Sequence, residues 1–204
     1  MLFPTHCAIC DRPGASPCPT CVLGLRRAPA LAVPPGLDRC HALLTFEGPA
    51  RDLVARLKYH NARGAVGWLA AAMAALVGDE LVDLVTWAPT SRRRRRRRGF
   101  DQGELLGRRV AGELGRPCRS LLVRHGGPPQ TGRSRRARWI GPPLDAHRRL
   151  RRDPPRAVLV VDDIITTGAS LSAAARTLRK AGVAEVVGLA AARTPAGPSR
   201  RAAG

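Results

Sequence analysis

The stretch from Ala157 to Ser170, AVLVVDDIITTGAS, constrains this chain more than any other. An apolar run from Ala157 to Val161 meets two adjacent carboxylates, Asp162 and Asp163. This predicts a strand buried on both faces of a parallel sheet and ending where the charges begin. From Ala169 the spacing becomes helical, with Leu171, Ala174, Ala175 and Leu178 on one face and Gly182 suited to the position just past the helix end. A second apolar run, Val186 to Ala192, then completes a strand–helix–strand unit.

In such units the ligand lies at the carboxyl ends of the strands, where loop amides and the helix N-terminus favour a phosphate. Thr166, Thr167 and Ser170 add hydroxyl donors, and Gly168 allows close approach of the backbone. The chain has no GxGxxG and no GK[ST], so neither a dinucleotide nor a P-loop nucleotide is the expected ligand. Two carboxylates just ahead of a phosphate cradle suit vicinal sugar hydroxyls or a divalent metal, and a phosphorylated ribose meets both demands. VVDDIITTGAS resembles the 5-phosphoribosyl 1-pyrophosphate (PRPP) signature of type I phosphoribosyltransferases. That resemblance implies that Asp162 and Asp163 are the catalytic acids, holding the ribose hydroxyls and Mg²⁺. It also implies that Ile164, Ile165, Thr166, Thr167, Gly168, Ala169 and Ser170 form the PRPP-binding stretch, with the loop at the 5′-phosphate.

The formal net charge of +20 favours a polyanionic partner, either nucleic acid or a multiply phosphorylated small molecule. A codon bias toward Arg and Ala accounts for part of it. Aromatic residues, at 3 %, are too sparse for a platform that stacks single-stranded bases. No apolar window is long enough to span a membrane and no signal-peptide pattern opens the chain, so a cytoplasmic protein without a membrane partner is expected.

Near the N-terminus, Cys7-Ala-Ile-Cys10 and Cys18-Pro-Thr-Cys21 form two CxxC knuckles. Four thiolates at this spacing suit a closed tetrahedral zinc site, and a cytosolic setting argues against disulfides. Cys40 and Cys118 are expected to be isolated buried thiols. The expected organisation is a small four-cysteine zinc-binding module at 1–27, a linker at 28–39, the main α/β domain at 40–193 and a disordered tail at 194–204. Within the main domain a strand is expected from Cys40 to Phe46. Helices should follow, one from Pro49 to about Lys58 and one over Val66 to Val77, and then a strand over Leu81 to Ala88.

Seven arginines, Arg92 to Arg98, then precede Gly-Phe-Asp-Gln. Asp101 with Glu104 is a helix-start signal, so the arginine run is expected as a loop kept mobile by like-charge repulsion until an anion arrives. A further strand is expected over Arg119 to Val123. His125 to Pro155, rich in Pro, Gly and Arg, reads as a long lid-like connection.

The order of two CxxC knuckles, RGFDQ, Gln130-Thr131 and VVDDIITTGAS resembles the ComF family of amidophosphoribosyltransferase-like proteins, over Cys7 to Arg193. The resemblance implies a type I phosphoribosyltransferase-like α/β fold with a mostly parallel central sheet. By the same resemblance a nitrogen nucleophile would displace pyrophosphate, with Arg98 among the ligand-binding residues. The family's association with natural competence implies, as an alternative, an accessory protein that binds DNA or a DNA-processing protein such as a helicase, without that catalysis. Asp101 stands where the family commonly has Asn. Arg133 and Gly141 replace the family's Leu and Asn in the middle loop.

Overall fold

The computed structural model describes residues 6–30, 32–57, 63–125 and 141–195. In chain order these form α1 (Pro19–Leu23), β1 (Arg39–Thr45), α2 (Gly48–Arg56), α3 (Arg63–Val77), β2 (Leu84–Trp87), α4 (Arg92–Arg98), α5 (Gln102–Glu113), β3 (Leu122–Arg124), β4 (Leu144–Ala146), a 3₁₀ turn (Arg148–Arg151), β5 (Ala157–Ile165), α6 (Ala169–Lys180) and β6 (Glu185–Arg193). Four strands make one sheet in the order β1-β6-β5-β2, and every pairing in it is parallel.

The valine-rich strand sits inside this sheet because it has apolar side chains for both faces. Leu159 and Val161 join α2, α3 and α5 in one cluster, which includes Leu53, Leu69, Met73, Leu106 and Val110. Val158 and Val160 join α6 in the other, with Leu171, Ala174 and Leu178. All four of these β5 side chains are fully buried, each contributing about 1.5–3 kcal/mol by area. The mostly parallel sheet flanked by helices is the expected fold class, with a cysteine cluster at its N-terminal side.

Several local expectations change. β5 continues through both carboxylates, because β6 keeps pairing with it as far as Ile165 opposite Arg193. The arginine run is a helix, not a loop. The Ser91 hydroxyl accepts from Arg94 N at 3.3 Å, and Gly99 closes the other end at φ 79°. Arginine is a good helix former, and the side chains of Arg92 to Arg97 spread into solvent, which lowers the repulsion between them. The strand expected at Arg119 to Val123 is shifted to Leu122–Arg124 and pairs antiparallel with β4. β4 lies inside the stretch read as irregular, where three residues are too few to display alternation.

The N-terminal knuckles pack against the core. Ala8 is buried in the same cluster as Leu43, Leu53 and Leu69, and Ile9 and Leu25 pack against it. Residues 28–39, expected as a linker, also lie against the sheet. Ala28 N donates to Leu43 O, and Asp38 N to Val186 O. Leu37 is buried in the cluster that contains α6. Lys58, Gln130-Thr131, Arg133, Arg138 and most of the tail lie outside the described residues.

Candidate functional site

β2 and β5 are parallel neighbours, with Trp87 opposite Val161, so the segments that follow them leave the sheet at the same edge. Asp162 and Asp163 stand at that edge, both half-buried. The Asp162 carboxylate accepts from Asp163 N at 2.8 Å, and Asp163 from Ile164 N at 2.8 Å. Burial first, and then the neighbouring Asp163 charge, push the Asp162 carboxyl well above the usual range. A divalent cation or sugar hydroxyls between the two carboxylates would relieve that repulsion, and hard oxygen donors of this kind fit Mg²⁺.

Beyond Ile165 the chain turns through Thr166 and Thr167, both exposed, to Gly168. Gly168 is required on two grounds. Its φ is 74°, and a Cβ there would come within 2.8 Å of the Pro34 ring. It is also the N-cap of α6, where no side chain caps the helix. In the first turn Ala169 N donates to Thr167 Oγ1 at 3.4 Å, while the glycine itself caps nothing, and the remaining N–H groups favour an anion. Ser170 lies in that first turn, half-buried. Ile164 is half-buried against the cluster that contains α3 and α5, and Ile165 is buried in the one that contains α6.

The segment after β2 contributes the opposite charge. Asp101, 6 % exposed, accepts from Thr90 N at 2.9 Å and from Gly103 N at 3.0 Å, tying the end of β2 to the start of α5. Burial raises its carboxyl pKa against the pull of those amides, and its charge is felt at Asp162. Arg98 is the one arginine of α4 that is not fully exposed, and its Nη1 donates to Gln102 Oε1 at 2.6 Å. Arg95 reaches Glu104 at 3.9 Å.

Sequence reasoning missed two residues here. Arg124, at the end of β3, donates from Nη1 to Pro89 O at 3.5 Å. Its pKa is lowered by burial and by Arg94, against the opposing pull of Asp162 and Asp101. Gln102 is the other, since a glutamine at a helix start carries no signal of burial. Only the contacts of the folded chain reveal either one.

Near the N-terminus, Cys7, Cys10, Cys18 and Cys21 place all four sulfurs within 4.8 Å of one another. Cys10 Sγ and Cys18 Sγ are 3.8 Å apart. Tetrahedral coordination at a Zn–S length of about 2.3 Å puts sulfurs roughly 3.8 Å apart, so the cluster has the dimensions of a four-thiolate zinc site. Burial opposes ionisation of Cys7, but the amides of Cys10, Cys18 and Ile9 bring its pKa down to about 6. Burial and the three neighbouring thiols push Cys21 up to about 12. Such a cluster can hold a metal, with all four positions taken by protein.

No protein-family model matches the chain, and no curated protein does. Among solved structures it is similar to a glutamine PRPP amidotransferase from B. subtilis complexed with ADP and GMP, at 21 % identity and a TM-score of 0.43, over 66 % of this chain and 30 % of that one. It is also similar to an allosteric regulatory enzyme of purine biosynthesis, at 20 % identity and a TM-score of 0.42, over 67 % of this chain and 30 % of that one. A purine phosphoribosyltransferase from Pyrococcus horikoshii matches at 17 % identity and a TM-score of 0.41, over 64 % of this chain and 83 % of that one. The chain thus spans 30 % of the length of each of the first two, and the functional reading below rests on its own residues. No helix among the described residues is long and apolar enough to cross a membrane.

Proposed function

We propose that the chain binds PRPP with Mg²⁺ and transfers its phosphoribosyl group to a nitrogen nucleophile, as a cytoplasmic ComF-like protein. The observation that carries this reading is the acid pair near the end of β5, followed after a short loop by the glycine-capped N-terminus of α6. Asp162 and Asp163 hold the ribose 2′- and 3′-hydroxyls and the metal, and the 166–170 loop takes the 5′-phosphate. The C1–O bond to pyrophosphate breaks as a C1–N bond forms through an oxocarbenium-like state. The protein's part is therefore alignment and charge compensation rather than attack by a side chain. Mg²⁺, when bound, neutralises the leaving pyrophosphate. Arg98 and Arg124 are the cations placed to assist it. The N-terminal module supplies structural zinc and no chemistry.

The test is a calorimetric titration with PRPP–Mg²⁺ on the parent and on Asp162→Asn/Asp163→Asn. The parent should bind and the double variant should not, while its unliganded melting temperature is kept or raised, because a repelling pair has been neutralised. Equal binding by both proteins would refute the assignment of the acids.

A second reading is favoured by α4, whose residues Arg92 to Arg97 are all exposed. In it the chain is a competence-type accessory protein, and the helix contacts DNA or a DNA-processing partner. Each phosphate contact adds roughly 0.7–0.9 to the slope of log affinity against log salt. Replacing Arg92 to Arg97 with Ser and Gly should then flatten that slope for DNA by several units and leave PRPP binding unchanged.

A further inference from the structure

We infer that Gly141 is a positioning residue for the phosphate loop, because its missing side chain lets the segment leading into β4 brace the first turn of α6 at backbone contact. The inference rests on the PRPP reading of that loop and adds a residue from outside the strand–loop–helix stretch. Gly141 has φ 78°, and a Cβ there would stand 2.3 Å from Ala169 O, 3.1 Å from Ala169 C and 2.9 Å from Ala173 Cβ. These separations are too short for any real Cβ, so a side chain at 141 has to displace Ala169 or be displaced by it.

The contact continues along the helix. Thr177 Oγ1 donates to Leu144 O at 3.3 Å as well as to Ala173 O of its own helix at 2.9 Å. Ala169, Ala173 and Thr177 follow one another at intervals of four residues and so share one face of α6. The chain from Gly141 to Leu144 therefore runs along that face, starting at the first turn.

The phosphate loop needs such a brace because few hydrogen bonds of its own hold it. Gly168 caps α6 without a side chain, and the bond from Ala169 N to Thr167 Oγ1, at 3.4 Å, is long. Packing fixes the loop instead. The buried Pro34 ring lies against Gly168 and Gly141 lies against Ala169, so two successive residues are held by two segments distant in sequence. Backbone N–H groups serve an anion only while they converge on it, and a shift of about an ångström takes a hydrogen bond out of range. Gly115 supplies the contrast: its φ is 62°, but nothing lies within 4 Å of where its Cβ would be. A side chain there meets the backbone strain without the contact.

The experiment titrates the full chain calorimetrically with ribose 5-phosphate, PRPP–Mg²⁺ and pyrophosphate–Mg²⁺. Gly141→Asn is the main variant, since asparagine tolerates a positive φ and adds the Cβ with the least backbone strain. It should weaken ribose 5-phosphate and PRPP by about 10- to 100-fold, the scale of a hydrogen bond to a charged group. Pyrophosphate–Mg²⁺ does not need the 166–170 loop and should bind as to the parent. Gly115→Ala should lower the melting temperature and leave all three affinities unchanged. Thr177→Val, which frees Leu144 O from the helix with little change of shape, should weaken ribose 5-phosphate by about 3-fold and decides the matter if the asparagine variant fails to fold. If the parent binds PRPP and the folded variant binds ribose 5-phosphate as tightly, the inference falls and the PRPP reading stands. Equal weakening of all three ligands would overturn the inference as general damage to the fold. A parent that binds neither ribose 5-phosphate nor PRPP overturns both.

Discussion

The four thiols come from one turn-rich stretch, Cys7 to Cys21, and their sulfurs already stand at metal-binding distances. The acid-pair site gathers Arg98 to Gln102, Arg124 and Asp162 to Ser170, which are far apart in sequence and meet only because β2 and β5 are neighbours. The first is a closed cluster whose ligand positions are all protein. The second is an open edge that collects unsatisfied groups: repelling carboxylates, a helix start capped only by glycine and a buried amide with no acceptor. A site that spends its donors on itself stabilises the chain, whereas a site that leaves them unmet is prepared for a ligand.

The largest effect should come from breaking the closed cluster. Cys10 is exposed, so Cys10→Ser removes a ligand without opening a cavity. Structural zinc in small peptides contributes on the order of 10 kcal/mol to folding. Because Ala8 lies in the main core, loss of the ion should lower the melting temperature of the whole domain in one transition. Metal analysis should find about one zinc in the parent and none in the variant. A variant whose main transition is unmoved would show the module to be independent of the sheet.

At the open site the corresponding substitution is Asp101→Ala, which leaves Thr90 N and Gly103 N without their acceptor. The cost should be about 2–4 kcal/mol from a lost N-cap and two orphaned amides. Asp101→Asn retains one acceptor oxygen and should cost about 1 kcal/mol, less than the two bonds suggest, because burial already makes the charge at this position unfavourable. Urea unfolding at neutral pH measures both. If alanine proves no worse than asparagine, Asp101 does not join β2 to α5.

The closed cluster was legible because its meaning lies in spacing alone: two CxxC turns fix four sulfurs whatever the rest of the chain does. The strand, loop and helix from Ala157 to Lys180 were legible for a similar reason, since a two-face apolar run followed by helical spacing has few alternatives. The helix at Arg92–Arg98 was not, because charge repulsion argues for a loop and the deciding terms are single residues at its ends, Ser91 and Gly99. Arg124 and Gln102 were invisible for a further reason. Arg124 is set apart by its contact with Pro89 across chain segments, and Gln102, although four residues from Arg98, by a burial that its helix-start position does not announce.

The smallest effect tests whether the segment before β1 belongs to the sheet or merely tethers the thiol cluster to it. Burial works against ionisation of Asp38, but the Val186 amide at 2.7 Å and the Arg179 guanidinium outweigh it and hold the carboxyl below its usual range. A carboxylate with a folded pKa below its unfolded value stabilises the native state above the unfolded value, and that contribution fades as pH falls through the folded one. The parent should therefore lose more stability than Asp38→Asn as pH falls below the ordinary aspartate pKa of about 3.9. The difference should be modest, since Asp38 and Arg179 are both partly open to solvent and screened by it. Urea midpoints of the two proteins across that range give the comparison. Parallel pH profiles would mean that the Asp38 contacts with Val186 and Arg179 add nothing to folding, and that residues 28–39 are a tether after all.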